Sequence, residues 1–477
     1  MILLFNPRSC NWKYRLPNSL LSLGSVLEGK YEYEIVDGNL LCDPLPVLST
    51  IIGEKRVDML GVTVMPGPQL QQAIPLCKSL KEKFPHLTII WGGYFPSNHT
   101  DVCARSPFVD YVLRGQGEGA FPQLVEAVVG NGKILRSGIP YSEISAVPNI
   151  SFKSDSSVVH HNAMPLIHPD DLPPLPYHKV DVEKYVGKTY LGTRTLSYHS
   201  SYGCPFECSF CAIVPIYKAR WLGRNAAAMA DDIEKLVLTY GANAIEFHDN
   251  NFFTSERRVV EFSEEILRRD LRFTWWGEGR PDTLLKFSDE TFSLMKRAGL
   301  KMVFMGAESG DDERLSAMNK GGTQTGGTIL EVVEKFRRHG IVPECSFVFG
   351  TPPVVPNAFG TQGGAPAQNV SGTIEKDIRF VRRLKKINPA AEIIMYMYSP
   401  IPLDGSTLYQ RVTQSGFTYP QTLEEWLKPE WASFDLRKNP LTPWLSPRHI
   451  RRVRSFEKVL NAVFPTNSDI KLKRFQR

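Results

Sequence analysis

Two α/β units in tandem are the fold that this sequence predicts: a doubly wound, Rossmann-like sheet at the N-terminus, then a partial (β/α) barrel of the TIM type. Three observations predict it. Short apolar runs ending in Gly, Asp or Asn alternate with helical stretches over residues 1–130. A Pro-rich, charged stretch, "HPDDLPPLPYHKV", then breaks the alternation. A second alternation starts near residue 194 and runs to about residue 400. The 477 residues are also too many for one ordinary hydrophobic core.

In the first unit, "MILLF", "YEIVD", "DMLGVTV", "HLTIIWGG" and "DYVLRGQGEG" read as strands. The segments between them, "PNSLLSLGSVLEGK", "PQLQQAIPLCKSLKEKF" and "AFPQLVEAVVG", carry helical periodicity. Strands of this buried type, separated by helices, make a parallel sheet covered on both faces. Ligands of such sheets sit at the carboxyl ends of the strands. Thr63, Gly92, Gly93 and the glycine-rich stretch 115–119, with Gly117 and Glu118, occupy those ends. Residues 131–190 are expected to form a linker.

In the second unit the strands are "TLSYHS", "NAIEFHD", "FTWWGEG", "KMVFMGA", "PECSFVFG" and "EIIMYMY". Helical segments separate them, and Gly241, Gly299 and Gly340 stand where helix C-caps belong. Six such units over residues 191–400 make a partial barrel, whose chemistry belongs on the loops after the strands. Residues 351–372 are rich in Pro, Gly and small residues and read as an inserted loop. Residues 401–477, with Trp426, Trp431 and Trp444, are expected to be a C-terminal extension serving the substrate.

The composition sets bounds. With 42% hydrophobic residues and no long apolar run, the chain is globular and has no membrane span. The N-terminus lacks a basic region and a long apolar core, so it reads as a strand and the protein as cytoplasmic. The net charge of +6 comes from acidic and basic residues mixed along the chain, and no nucleic-acid partner is expected.

Three of the 8 cysteines, Cys204, Cys208 and Cys211, fall in "SSYGCPFECSFCAIV", directly after the first strand of the second unit. Disulfides fit poorly, because cysteines this close staple almost nothing and a reducing compartment is expected. Zinc sites use matched Cys pairs, and no second pair exists, although His199 or His248 would complete such a site. Iron–sulfur clusters are usually held by four thiolates. Three would leave one iron open, whereas Cys345 would close the site.

The stretch "CPFECSFC" fits Cys-x-x-x-Cys-x-aromatic-Cys, and with its place after the first barrel strand it resembles the radical S-adenosylmethionine enzymes. The resemblance implies that Cys204, Cys208 and Cys211 hold a [4Fe–4S] cluster whose open iron binds S-adenosylmethionine. That cofactor is then split reductively to a 5′-deoxyadenosyl radical. It also implies cofactor contacts from Phe210, from Asp249 in "FHDNN", from Glu278 and Arg280 in "GEGRPD", and from Glu308 and Ser309 in "GAESG". Asn250 stands where relatives often show a second Asp. Arg280 suits a carboxylate as a bidentate donor. "MYMYSPIPLDGSTLY" resembles the sixth strand and its turn, with Ser406 at a Thr position.

The first unit resembles the cobalamin-binding domain attached to one branch of these enzymes. That implies a cobalamin site at Thr63, Gly92, Gly93, Gly117 and Glu118. Two departures stand out. No Asp-x-His-x-x-Gly loop exists, and "GGYF" puts Phe95 where a His is frequent. Bound cobalamin is therefore expected to have no protein histidine on cobalt. Together these readings imply a cobalamin-dependent radical enzyme that C-methylates an unactivated carbon of a small-molecule substrate, fed by an electron donor such as flavodoxin or ferredoxin. A radical cyclase or rearrangement enzyme without methyl transfer is the nearest rival. An iron–sulfur binding or sensor protein without turnover is the rival of another class.

Overall fold

The computed structural model describes residues 1–10, 14–129, 144, 146–154, 157–352, 370–402, 406–432 and 444–465. The chain divides into two compact units. The insertion at 351–372 lies mostly outside the described residues.

The first unit is built on a seven-stranded sheet in the order β2-β1-β3-β4-β5-β6-β7. Its strands are β1 (Ile2–Asn6), β2 (Tyr33–Asp37), β3 (Met59–Thr63), β4 (Thr88–Gly92), β5 (Tyr111–Leu113), β6 (Ile150–Lys153) and β7 (Val158–His160). The first five are parallel. Every residue of β1 is buried, as a central parallel strand requires. Gly61 on β3 shows how the helices close on the sheet: a Cβ there would lie 3.0 Å from Leu4 and 3.4 Å from Phe121. The strand order reverses between β1 and β3, and such a switch point opens a crevice at the carboxyl edge.

Two boundaries differ from the expectation. Part of the expected linker is sheet, since β6 and β7 continue it antiparallel beyond β5. These strands are short and no helix separates them, so no alternation marks them. Likewise the C-terminal extension is divided: Tyr419–Ala432 belongs to the first unit and its other described residues to the second. The Trp426 carbonyl accepts from Gln71 Nε2 at 3.0 Å. The Trp426 ring lies 4.9 Å from Phe95 and 5.0 Å from His99.

The second unit carries six parallel strands in sequential order: β8 (Thr195–Tyr198), β11 (Ala244–Phe247), β12 (Thr274–Gly279), β13 (Leu300–Glu308), β14 (Val342–Phe349) and β15 (Glu392–Met397). A small hairpin, β9 (Ser201–Gly203) with β10 (Trp221–Gly223), follows β8. Asn225, Ser255, Ser288 and Thr325 each cap the helix that follows with a side-chain oxygen. Gly299 is one glycine the fold demands: φ is +99°, and a Cβ would fall 2.1 Å from the Phe273 carbonyl. Outward-facing Phe247 and Trp275 pack with Phe252 and Phe262 under the helices. The alternate residues face inward. Leu191, Ala244 and Met302 plug the floor, against Tyr190, Trp276 and Val342.

Candidate cofactor sites at the strand ends

The cysteine loop is held from three sides. At its start, Asp249 Oδ1 accepts from Ser200 N at 2.9 Å, Ser200 Oγ at 2.8 Å and Ser201 Oγ at 2.5 Å. Further on, Ser209 N and Oγ donate to the carbonyls of Met318 and Ala317 at 3.0 and 3.2 Å. Asn319 Nδ2 donates to the Glu207 carbonyl at 2.9 Å. Ser406 Oγ reaches the Ser209 carbonyl at 3.2 Å, tying the turn after β15 to the same loop. Residues 403–405 of that turn lie outside the described residues.

Cys208 is buried, Cys204 and Cys211 half-buried, and all three are free thiols. Two of the sulfurs face N–H donors: Asn251 Nδ2 lies 3.7 Å from Cys204 Sγ, and Arg280 Nη1 lies 3.3 Å from Cys208 Sγ. Burial, and then the neighbouring Cys208, push the Cys211 thiol up to about 12. Burial likewise raises Cys204. Iron binding to these two thiols would therefore release protons. Among the described residues no three His, Cys, Asp or Glu side chains converge on one metal ion. A multi-iron cluster gives each thiolate its own iron.

The residues that the rival readings would add to the site have other neighbours. Cys345 is fully buried on β14, opposite Met305 and Ile393, with its thiol raised by burial and by Glu344. His248 Nε2 lies 3.1 Å from Glu246 and its Nδ1 3.9 Å from Glu278, and its ring is 6.1 Å from that of His199.

Three expected cofactor-contact residues also bond within the protein. Asp249 is fully buried, its second oxygen has no hydrogen-bond partner among the described residues, and burial raises its carboxyl. It brackets the cysteine loop through Oδ1 alone. Ser309 is fully buried too; its Oγ donates to Asp377 at 2.7 Å and accepts from Arg314 at 3.3 Å. Arg280 is a bidentate donor, as its chemistry predicted, but to Asp282 at 3.0 and 2.9 Å. Glu278 faces the barrel interior beside His248.

Glu308 and Phe210 remain beside the cysteines through a residue the sequence reading missed. Lys320 is buried, with Nζ 3.1 Å from Glu308 and 5.7 Å from the centre of the Phe210 ring. Its charge acts on the Cys211 thiol. Glu308 sits at φ +63° where the β13–β14 register shifts, and Ser346 Oγ donates to it at 3.4 Å. A non-glycine residue in that region is held there by its surroundings, a strain that clusters at functional sites. Lys320 precedes Gly321 and Gly322, both with positive φ. That Lys-Gly-Gly turn after the fourth barrel strand was the available signal. Asn251, the third residue of "DNN", was the other.

In the first unit the strand ends are barer. Met65, just after β3, is 48% exposed, and Gly67 (φ +85°) has open space around it. Thr63 and Gly92 are half-buried beside them. This open, partly apolar shelf at the switch point fits the flat face of a corrin. Three expected residues have internal explanations as well. A Cβ on Gly93 (φ +97°) would lie 3.1 Å from the Val64 backbone. A Cβ on Gly117 would lie 2.9 Å from Leu23, and Glu118 accepts from Ser22 Oγ at 2.5 Å. Phe95 is core, against His99 and Trp426.

Comparison with known proteins finds both domains. The Radical SAM superfamily matches residues 198–358, and the B12 binding domain matches residues 16–125. An uncharacterised methyltransferase of Pyrococcus horikoshii, PH0819, is 26% identical over 340 residues, 70% of each chain. The anaerobic magnesium-protoporphyrin IX monomethyl ester cyclase of Synechocystis is 27% identical over 270 residues, 56% of this chain and 51% of the relative, so the chain spans about half of its length. The solved radical S-adenosylmethionine methyltransferase TsrM of Kitasatospora setae shares the fold, with TM-score 0.65 at 19% identity over 87% of this chain and 76% of that one. With a radical SAM domain and a B12-binding domain joined in one polypeptide, the chain belongs to the cobalamin-binding radical S-adenosylmethionine enzymes.

Proposed function

We propose that the protein is a C-methyltransferase acting on a small molecule, with Cys204, Cys208 and Cys211 as the cluster ligands. One observation carries the reading: three free thiols on one pinned loop, two of them facing N–H donors, at the mouth of a floor-sealed barrel. When bound, the cluster supplies the electron that splits S-adenosylmethionine, and cobalamin supplies methyl-transfer chemistry.

The chain's own residues do the positioning. Asp249, Asn319 and Ser406 fix the cysteine loop. Lys320 and Glu308, opposite charges on the Cys211 side, match the carboxylate and amine of the cofactor's amino-acid end. The shelf at Thr63, Met65, Gly67 and Gly92 receives the corrin face. The substrate enters the barrel interior, where the Leu191–Ala244–Met302 floor excludes water from below and Glu246, His248, Trp276 and Glu278 line the wall. The reductant is of the flavodoxin or ferredoxin type, and the setting is the cytoplasm. No helix among the described residues is long and apolar enough to cross a membrane.

The test is anaerobic reconstitution with iron, sulfide and hydroxocobalamin, then dithionite and S-adenosylmethionine. The expected products are 5′-deoxyadenosine and S-adenosylhomocysteine, with electron paramagnetic resonance of bound Co(II) free of nitrogen splitting. Absence of 5′-deoxyadenosine refutes the enzyme reading. Cyclisation, named for the Synechocystis relative, is the second reading, and a substrate product lacking the added CH₂ selects it.

A further inference from the structure

Arg280 is built into the cysteine loop more firmly than a ligand-binding arginine needs to be. Its guanidinium carbon lies over the Phe206 ring, 3.8 Å from the centroid. Nε and Nη2 grip the two Asp282 oxygens at 3.0 and 2.9 Å, and Nη2 also donates to the Lys320 carbonyl at 2.5 Å. Thr323 Oγ1 holds Asp282 from the other side at 2.5 Å. Within that clamp Nη1 points to Cys208 Sγ at 3.3 Å. Both Arg280 and Asp282 are buried, in a setting where a charge-assisted hydrogen bond is strong. On the neighbouring sulfur, buried Asn251 places Nδ2 3.7 Å from Cys204, and its backbone carbonyl is held by Trp221 Nε1 at 3.1 Å and Thr254 Oγ1 at 2.9 Å. The side-chain donors on the cysteine sulfurs among the described residues are thus unequal: a charged one at Cys208, and a neutral, longer one at Cys204.

We propose that Arg280 and Asn251 are positioning residues that set the reduction potential of the cluster through N–H···S hydrogen bonds to Cys208 and Cys204. The proposal rests on the cluster reading given above. Hydrogen bonds to cluster sulfurs and nearby net charge are what tune such potentials. A donor or positive charge at a sulfur stabilises the reduced, more negative cluster. Asp282 neutralises most of the Arg280 charge, so in the native pair the directional hydrogen bond counts for more than the bare cation. The sign of each substitution follows. Arg280→Gln removes the charge and the fixed donor and lowers the potential. Asn251→Ala removes the weaker donor and lowers it less. Asp282→Asn uncovers the guanidinium charge and raises it.

Redox titrations of the reconstituted full chain, followed by electron paramagnetic resonance, test this without recourse to turnover. The expected order of potentials is Asp282→Asn, wild type, Asn251→Ala, then Arg280→Gln, from highest to lowest. Equal potentials in variants that load a full cluster overturn the proposal. So does a uniform failure of all three variants to load, which assigns these residues to folding of the loop. If Arg280→Gln alone fails to load, the opposite signs expected of Asp282→Asn and Asn251→Ala decide. A wild type that shows no iron–sulfur signal overturns the cluster reading beneath it.

Discussion

The two units offer their ligands opposite kinds of strand end. In the first, the ends of β3 and β4 are glycine, a half-buried threonine and an exposed methionine, with few side-chain bonds between them. In the second, the loops after β8, β11, β12 and β13 are laced together: Asp249 to two serines, Arg280 to Asp282 and a cysteine, Lys320 to Glu308. A large flat ligand needs backbone that can be approached closely, which glycine permits. A small polar ligand beside a metal needs charges fixed before it arrives. The contrast separates a docking surface from a preorganised reaction site.

The sharpest way to break the comparison is at the thiols. Cys204→Ala, Cys208→Ala or Cys211→Ala is expected to abolish cluster loading and 5′-deoxyadenosine formation, while corrinoid binding by the first unit survives. Iron and cobalt analysis of the same samples checks both halves. Cys345→Ala, which touches only the core of β14, leaves iron content unchanged; loss of iron there would make Cys345 a ligand.

Next in size is the buried ion pair. Lys320→Met leaves Glu308 buried without its cation, an effect of about 3–5 kcal/mol. Denaturant unfolding reads it, and a Lys320→Met, Glu308→Gln double variant recovers much of the loss. S-adenosylmethionine binding by the cluster-loaded protein does not recover in the double variant if the pair receives the cofactor.

The first unit responds to backbone instead. Gly93→Ala forces a side chain into a φ of +97° against the Val64 backbone, at a cost of about 1–3 kcal/mol. Hydrogen exchange is expected to localise the loss to β3 and β4, leaving the barrel strands protected.

The smallest effect is a pH dependence. Burial among aromatic rings pushes the His99 imidazole down to about 3. Its folded value thus lies below the ordinary one, so the unfolded chain binds a proton that the folded chain refuses. Stability is whole above pH 6.5 and falls as pH drops toward 3, by about 1–2 kcal/mol between pH 7 and pH 5. Calorimetry of wild type against His99→Gln checks it: the variant is expected to lose that share of the acid sensitivity.

What the sequence revealed, and what it hid, follows the same division. Strands that alternate with helices were all legible, because burial on both faces leaves long apolar runs such as "MILLF" and "KMVFMGA". The cysteine spacing was legible because three ligands on one loop are close in sequence. Direction was not. Ser309 lies at the end of a barrel strand, as expected, yet its side chain turns into the protein to Asp377. Arg280 is a fork donor, but its partner is two residues away. Lys320 escaped notice because its role depends on Glu308, 12 residues earlier in the chain, reaching it across a turn. The strands β6 and β7 were lost among prolines, and the 419–432 segment carried no periodicity linking it to a sheet some 300 residues earlier.

That last segment has a consequence for how the protein is made. The chain leaves the first unit, builds most of the second, and returns at Tyr419–Ala432 to lay Tyr419, Trp426 and Trp431 around Phe95 and His99. The Gln71–Trp426 hydrogen bond closes a span of 355 residues. During synthesis the N-terminal sheet can form early, but its aromatic cover arrives only after residues 419–432 have emerged. Until then an apolar patch waits uncovered on a nascent domain, the state in which chaperones and proteases act. A gene fragment ending before residue 419 would encode the sheet without its seal, so neither unit is separable by a single cut.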